Sequence, residues 1–168
     1  MSFGKVFAIN IITTIVLNAI FIILAYVLGY SFNDLITRIT LEPIYIFYLL
    51  FAPLGRAIWL NFEEITYSIE IENLLFLLVN IAYIIAPLIA TIITGRMSDK
   101  RTSSLLAFII NAVISMLVCV ILVFYSFSFQ RMIGQDFSRD VAILNVVLGS
   151  IVNGCLYGFI ALALTKKS

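Results

Sequence analysis

Histidine is absent from the 168 residues, and cysteine occurs only at Cys119 and Cys155. Without histidine the chain has no His-ligated haem, no histidine-containing zinc or copper site, and no Ser–His or Cys–His hydrolase pair. Two cysteines cannot hold an iron–sulfur cluster alone. Each lies in an apolar run, where a thiol acts as a small buried hydrophobe, so they are read as unpaired. Glycine-rich nucleotide loops are missing as well, since Gly95 and Gly134 stand alone. Charged residues make up 11% of the chain, and no basic cluster is dense enough to bind nucleic acid. The expectation is a non-catalytic protein with no cofactor, no metal and no nucleic-acid partner.

What the chain does have is apolar surface. It is 63% hydrophobic with a mean hydropathy of +1.16, against about 45–50% apolar in soluble domains. It is read as an all-α integral membrane protein, a single transmembrane domain spanning residues 1–168 with short loops. A run of about 20 apolar residues crosses a hydrocarbon core of about 30 Å. Four runs meet that test without a charged residue: 6–28, 74–94, 105–127 and 141–164. The first is too long for the apolar core of a signal peptide, and no A-x-A site closes it.

Residues 42–62 are less regular. Pro53, Gly55 and Arg56 sit near the middle of this apolar segment, and Glu42 and Glu63 flank it. It is either a fifth span, with Arg56 reaching the headgroups beside Trp59, or a helix broken at Pro53–Gly55 that enters the membrane and returns. The five-helix count is preferred because Tyr45, Tyr48 and Trp59 fall near its two ends, as interfacial aromatics do. Arg56 is then the one candidate for a membrane-embedded charge, and it is read as an interfacial snorkel. Upstream, Ser31 is the expected N-cap of a short interfacial helix. Downstream, ITYSIEIE alternates apolar and polar residues as a strand or extended loop does.

Positive charge near span ends sets orientation. Arg96, Lys100 and Arg101 in one loop, and Lys166 and Lys167 in the tail, place that loop and the C-terminus in the cytoplasm, with the cell membrane as the expected location. The acidic stretch around Glu63, Glu64, Glu70 and Glu72 then lies outside, where it is read as a solvated face. Four spans and five spans each leave six basic residues inside and four outside, so charge does not separate them.

Small and polar residues recur at four-residue spacing, which keeps them near one helix face. The stripes are Asn10, Thr14 and Asn18; Ala82, Ala86 and Ala90; Asn111 and Ser115; Asn145, Gly149 and Asn153; and Ser150, Gly154 and Gly158. Lipid gives apolar helices no hydrophobic reason to associate, so small residues that let backbones approach mark helix contacts. Ser150, Gly154, Gly158, Ala82, Ala86 and Ala90 are therefore packing positions, within the chain or against a partner. The asparagines tie helices together or line a polar path. The leading expectation is a non-catalytic accessory or scaffolding subunit, bound to other membrane subunits or to a second copy within the lipid bilayer. The alternative is a small transporter, substrate-binding membrane component or channel with an Asn- and Thr-lined path.

Overall fold

Backbone amides in lipid have no water to bond, so a long apolar segment crosses as a helix that satisfies its own main chain. The computed structural model, which describes residues 2–125 and 138–165, contains helices and no strand among the described residues. Four helices are long and apolar enough to span a bilayer: α1 (Phe3–Leu28), α5 (Leu74–Met97), α6 (Arg101–Tyr125) and α7 (Arg139–Leu164). Three shorter ones, α2 (Phe32–Leu41), α3 (Tyr45–Gly55) and α4 (Ile58–Glu70), lie between α1 and α5 in the chain. The protein is an all-α membrane bundle. Phe127, Lys166 and Lys167 lie outside the described residues.

Helices α1 and α5 are antiparallel, because Gly29 just past α1 meets Leu75 at the start of α5. Helices α6 and α7 form the most extensive pair and are also antiparallel: Gly154 meets Ala112, Gly158 meets Leu105, and Thr165 bonds Ser104 at 2.8 Å. Leu28, Leu74, Tyr125 and Arg139 thus share one end of the bundle, the turn end. Phe3, Met97, Arg101 and Leu164 share the other, the terminal end.

Residues 42–62 do not form the preferred fifth span. At 11 residues, α3 is about 16 Å long, half of a hydrocarbon core. It starts at the turn end, where the hydroxyls of Tyr26 and Tyr45 lie 3.3 Å apart. It stops at Gly55, against Ser115, the fifteenth of the 25 residues of α6. Arg56 and Ala57 are extended, and α4 then runs back to the turn end, where α5 begins. The segment is a re-entrant helical hairpin, set off from α2 by a bend of 108°. The break falls just beyond the expected Pro53–Gly55, because Pro53 is held inside α3. Proline at that position leaves the Leu49 carbonyl without a helical donor, and the side-chain amide of Asn18 donates to it.

Two local expectations are also corrected. Most of ITYSIEIE is helical, not extended, because α4 packs along α5 and buries Leu60, Asn61 and Ser68. Tertiary contact overrides the alternating pattern. Ser31 precedes α2 as expected, but its hydroxyl donates to the Gly29 carbonyl at 3.1 Å and makes no cap bond. Asn73 is the side chain that caps, its Oδ1 accepting from the Phe76 N–H at 3.1 Å.

The small residues face inward. A Cβ at Gly154 would lie 2.8 Å from the Ala112 Cβ, and one at Gly158 would lie 2.9 Å from Leu105. Ser150 is buried at the same crossing. Ala82, Ala86 and Ala90 are buried along α5, and Ala90 packs with Phe108, Tyr157 and Ala161. The tightest seat against backbone belongs to Gly149, where a Cβ would stand 2.5 Å from the Cα and N of Ala57 at the hairpin tip. Backbone there cannot rotate aside as a side chain can. Gly149→Ala is expected to destabilise the bundle by about 1–3 kcal/mol through overpacking, and Gly154→Leu to disrupt the α6–α7 crossing. Gly4→Ala, with nothing within 4 Å of the added carbon, is the control and leaves the melting temperature in detergent unchanged.

Candidate binding cavity

The hairpin tip carries the one charge that the sequence places inside the membrane segment. Arg56 is 3% exposed and does not snorkel. Its Nη1 donates to Asn61 Oδ1 at 3.2 Å, Glu64 Oε2 at 3.1 Å and Asn80 Oδ1 at 3.1 Å, and its Nη2 donates to Glu64 Oε1. Asn61 and Glu64 are three apart on α4 and so share a face. Asn80 comes from the matching level of α5, where its amide also donates to the Phe76 carbonyl at 2.8 Å. Glu64 is therefore not a solvated boundary carboxylate: it is 26% exposed and paired with a buried guanidinium. Two groups from α4 and one from α5 converge on one side chain because the hairpin folds back at Arg56.

Breaking a helix inside a bundle leaves backbone carbonyls without donors. Asn153 of α7 supplies them: its Nδ2 lies 2.6 Å from the Arg56 carbonyl, 3.3 Å from that of Leu54 and 3.4 Å from that of Pro53. Asn18 does the same one turn earlier, and Gly55 and Gly149 let α6 and α7 approach the tip closely.

Arg56 forms the floor of a cavity of about 350 Å³ between α1, α2, α3, α4 and α5. That volume lies at the small end of ligand pockets, which run from about 300 to 1,000 Å³. Five of the eight tyrosines of the chain line it: Tyr26, Tyr45, Tyr48, Tyr67 and Tyr83. Tyr48 meets Tyr83 edge-on at 6.5 Å and stacks against Tyr45 at 6.0 Å. At the turn end, exposed Arg38 and Tyr67 border the opening. Arg38 stands 5.2 Å over the Tyr45 ring and donates to the Tyr45 hydroxyl at 3.3 Å.

The other polar positions named from the sequence lie elsewhere. Asn111 donates to Asn10 Oδ1 at 2.8 Å and to Thr14 Oγ1 at 3.4 Å, nearer the terminal end. Ser115 is buried beside Gly55, and Asn145 is half-buried on α7. Asn18 and Asn153 support the hairpin from behind. Among the asparagines, Asn80 is the one on the cavity wall. Sequence reasoning missed the tyrosines and Glu64. The available signal was Tyr26 and Tyr83 inside otherwise aliphatic spans, where a buried phenol needs a partner for its hydroxyl.

Truncating one member of a buried pair strands the other, at a cost of about 3–5 kcal/mol. Arg56→Met, which strands the 26%-exposed Glu64, should fall toward the lower part of that range, and Glu64→Met, which strands the buried Arg56, toward the upper part. The double variant should recover most of the loss. A melting-temperature cycle over the four proteins measures this, and additive losses would mean that the two side chains act independently.

Comparison of the chain with protein-family models, with curated proteins and with solved structures finds no match.

Proposed function

We propose that this protein is a membrane-embedded binding component for a small solute, of the kind that captures a substrate for transport. The reading rests on one observation, the tyrosine-lined cavity whose floor is a buried arginine at the tip of a broken helix. Buried charge inside a membrane bundle is expensive and marks functional positions, and interrupted helices whose ends meet near the midplane form the sites of many transporters. The solute enters from the turn end.

Charge supports an orientation with that end outside the cell membrane. Among the described residues, Lys5, Arg96, Lys100 and Arg101 gather at the terminal end with a single acid, Asp99. The turn end holds two basic residues, Arg38 and Arg139, with Asp34, Glu42, Glu70, Glu72 and Asp140 around them. The terminal end, and with it the C-terminus, is then cytoplasmic.

The accessory-subunit reading stands second. Its support is a cleft of about 110 Å³ on the outside of the α6–α7 crossing, where the buried Ser150 hydroxyl has no partner among the described residues. Its original argument is weaker, since the small-residue faces pack within the chain.

A solute library screened by thermal shift on the purified protein tests the binding reading. Compounds that raise the melting temperature should lose their effect in Val79→Phe, which fills the cavity from α5 without touching the ion pair. Shifts that survive this substitution would locate binding elsewhere. Co-purification of a fixed set of other subunits, with no solute bound, would favour the accessory reading. In intact cells, cysteines placed at Ser2 and Thr102 should both resist impermeant maleimide and one at Glu70 should react, because an even number of crossings puts Ser2 and Thr102 on one side.

A further inference from the structure

The cavity is rich in groups that can donate, and this bears on the chemistry of what it holds. The acceptor-only oxygens of its lining side chains, on Glu64 and Asn80, already accept from Arg56, and the hydroxyls of Ser68 and the five tyrosines can donate as well as accept. The Nε–H of Arg56 is different: it is buried and finds no partner among the described residues, on a side chain that lines the cavity. An unmet donor on a charged, desolvated group is among the costliest features that a fold can retain. Arg38 adds a second guanidinium at the opening. Within the lining, two positive groups thus face one carboxylate. Glu42, at the end of α2, acts electrostatically on Arg38 but is not part of that lining, nor are Glu63, midway along α4, and Glu70 and Glu72 near the α4–α5 turn.

On the reading that the cavity is a binding site, we infer that its ligand is an oxyanion, a carboxylate or phosphate group on a small aromatic or apolar body. An oxygen of the group accepts from Arg56 Nε, and the guanidinium of Arg38 closes over the negative charge. Guanidinium pairs suit planar carboxylate and phosphate oxygens. The body lies against the rings of Tyr48 and Tyr83 and beside Val79. The same oxyanion chemistry is offered by a soluble metabolite and by an anionic lipid headgroup.

The test uses the full chain in phosphatidylcholine nanodiscs, read through the fluorescence of its single tryptophan, Trp59, and through melting temperature. The probes are benzoate, phenyl phosphate, benzyl alcohol and phenyltrimethylammonium, and in a parallel preparation phosphatidate replaces part of the lipid. Benzoate or phenyl phosphate should bind, or phosphatidate should stabilise, and the alcohol and the cation should bind at least tenfold more weakly. Binding of the soluble probes identifies a soluble source, and stabilisation by phosphatidate alone identifies a lipid source. Arg56→Lys keeps a cation beside Glu64 but removes Nε–H, and should weaken the oxyanion at least tenfold. Arg38→Gln lies at the exposed opening and should weaken binding by a similar factor, with the melting temperature of the variant without ligand recorded beside it. Equal or tighter binding of the alcohol or the cation, lost in Val79→Phe, would overturn the oxyanion assignment and leave the cavity a binding site. Unchanged oxyanion affinity in both arginine variants would overturn it too. Silence from every probe would overturn both readings.

Discussion

The fold turns on the problem of keeping Arg56 ionised inside a membrane bundle. A guanidinium taken out of water loses several kcal/mol of hydration that only close, well-directed acceptors restore. One carboxylate does not saturate it, and the two amide oxygens from Asn61 and Asn80 complete most of the set. Those acceptors sit at one depth because α4 doubles back along α5. A straight span through residues 42–62 would carry Glu64 about 12 Å along the axis from Arg56, given a rise of about 1.5 Å per residue. The re-entrant turn and the ion pair therefore imply each other: the turn brings the acid to the base, and the pair makes the turn tolerable in lipid.

Reversing a chain inside a bundle also exposes main chain, and the surrounding helices are built around that exposure. Asn18 from α1 serves the carbonyl freed by Pro53, and Asn153 from α7 serves three carbonyls at the end of α3. Asn153 could not reach if α7 stood at ordinary separation. Gly149 removes the side chain that would hold α7 away from Ala57, and Gly55 does the same for α6. Polar side chains and small residues, which look like separate themes in the sequence, thus have one task at the hairpin.

The spans were legible because charge-free apolar runs of that length have one outcome in lipid, and the stripe at Ser150, Gly154 and Gly158 marked a helix face that the structure fills with α6. The hairpin was legible only as an alternative. Its aromatic ends suited a crossing, and the deciding contacts join residues far apart in sequence: Arg56 to Asn80, and Asn153 to Arg56. No local pattern encodes such pairs. Glu64 read as one of a solvated acidic group because Glu63, Glu70 and Glu72 surround it, and only the return of α4 separates its environment from theirs. The tyrosines of the cavity are spread over four helices and share no spacing, so nothing short of the fold could assemble them.

The two halves of the bundle differ in what fills them. Toward the turn end, tyrosines, Arg56 and Glu64 surround open volume. Beyond the hairpin tip, Leu54, Ala90, Phe108, Tyr157 and Ala161 close on one another as a dry cluster, with Leu17 and Ile58 packed against it. Interiors of this kind are as dense as molecular crystals and yield no passage without rearrangement. The polar groups below the tip do not bridge that cluster into a channel, since Asn10, Thr14 and Asn111 are engaged with one another. A cup open at one end and sealed at the other suits the proposed binding role and offers no open path through the bundle. It also makes the hairpin, which among the described residues enters the bundle without spanning it, the natural divider between the two sides.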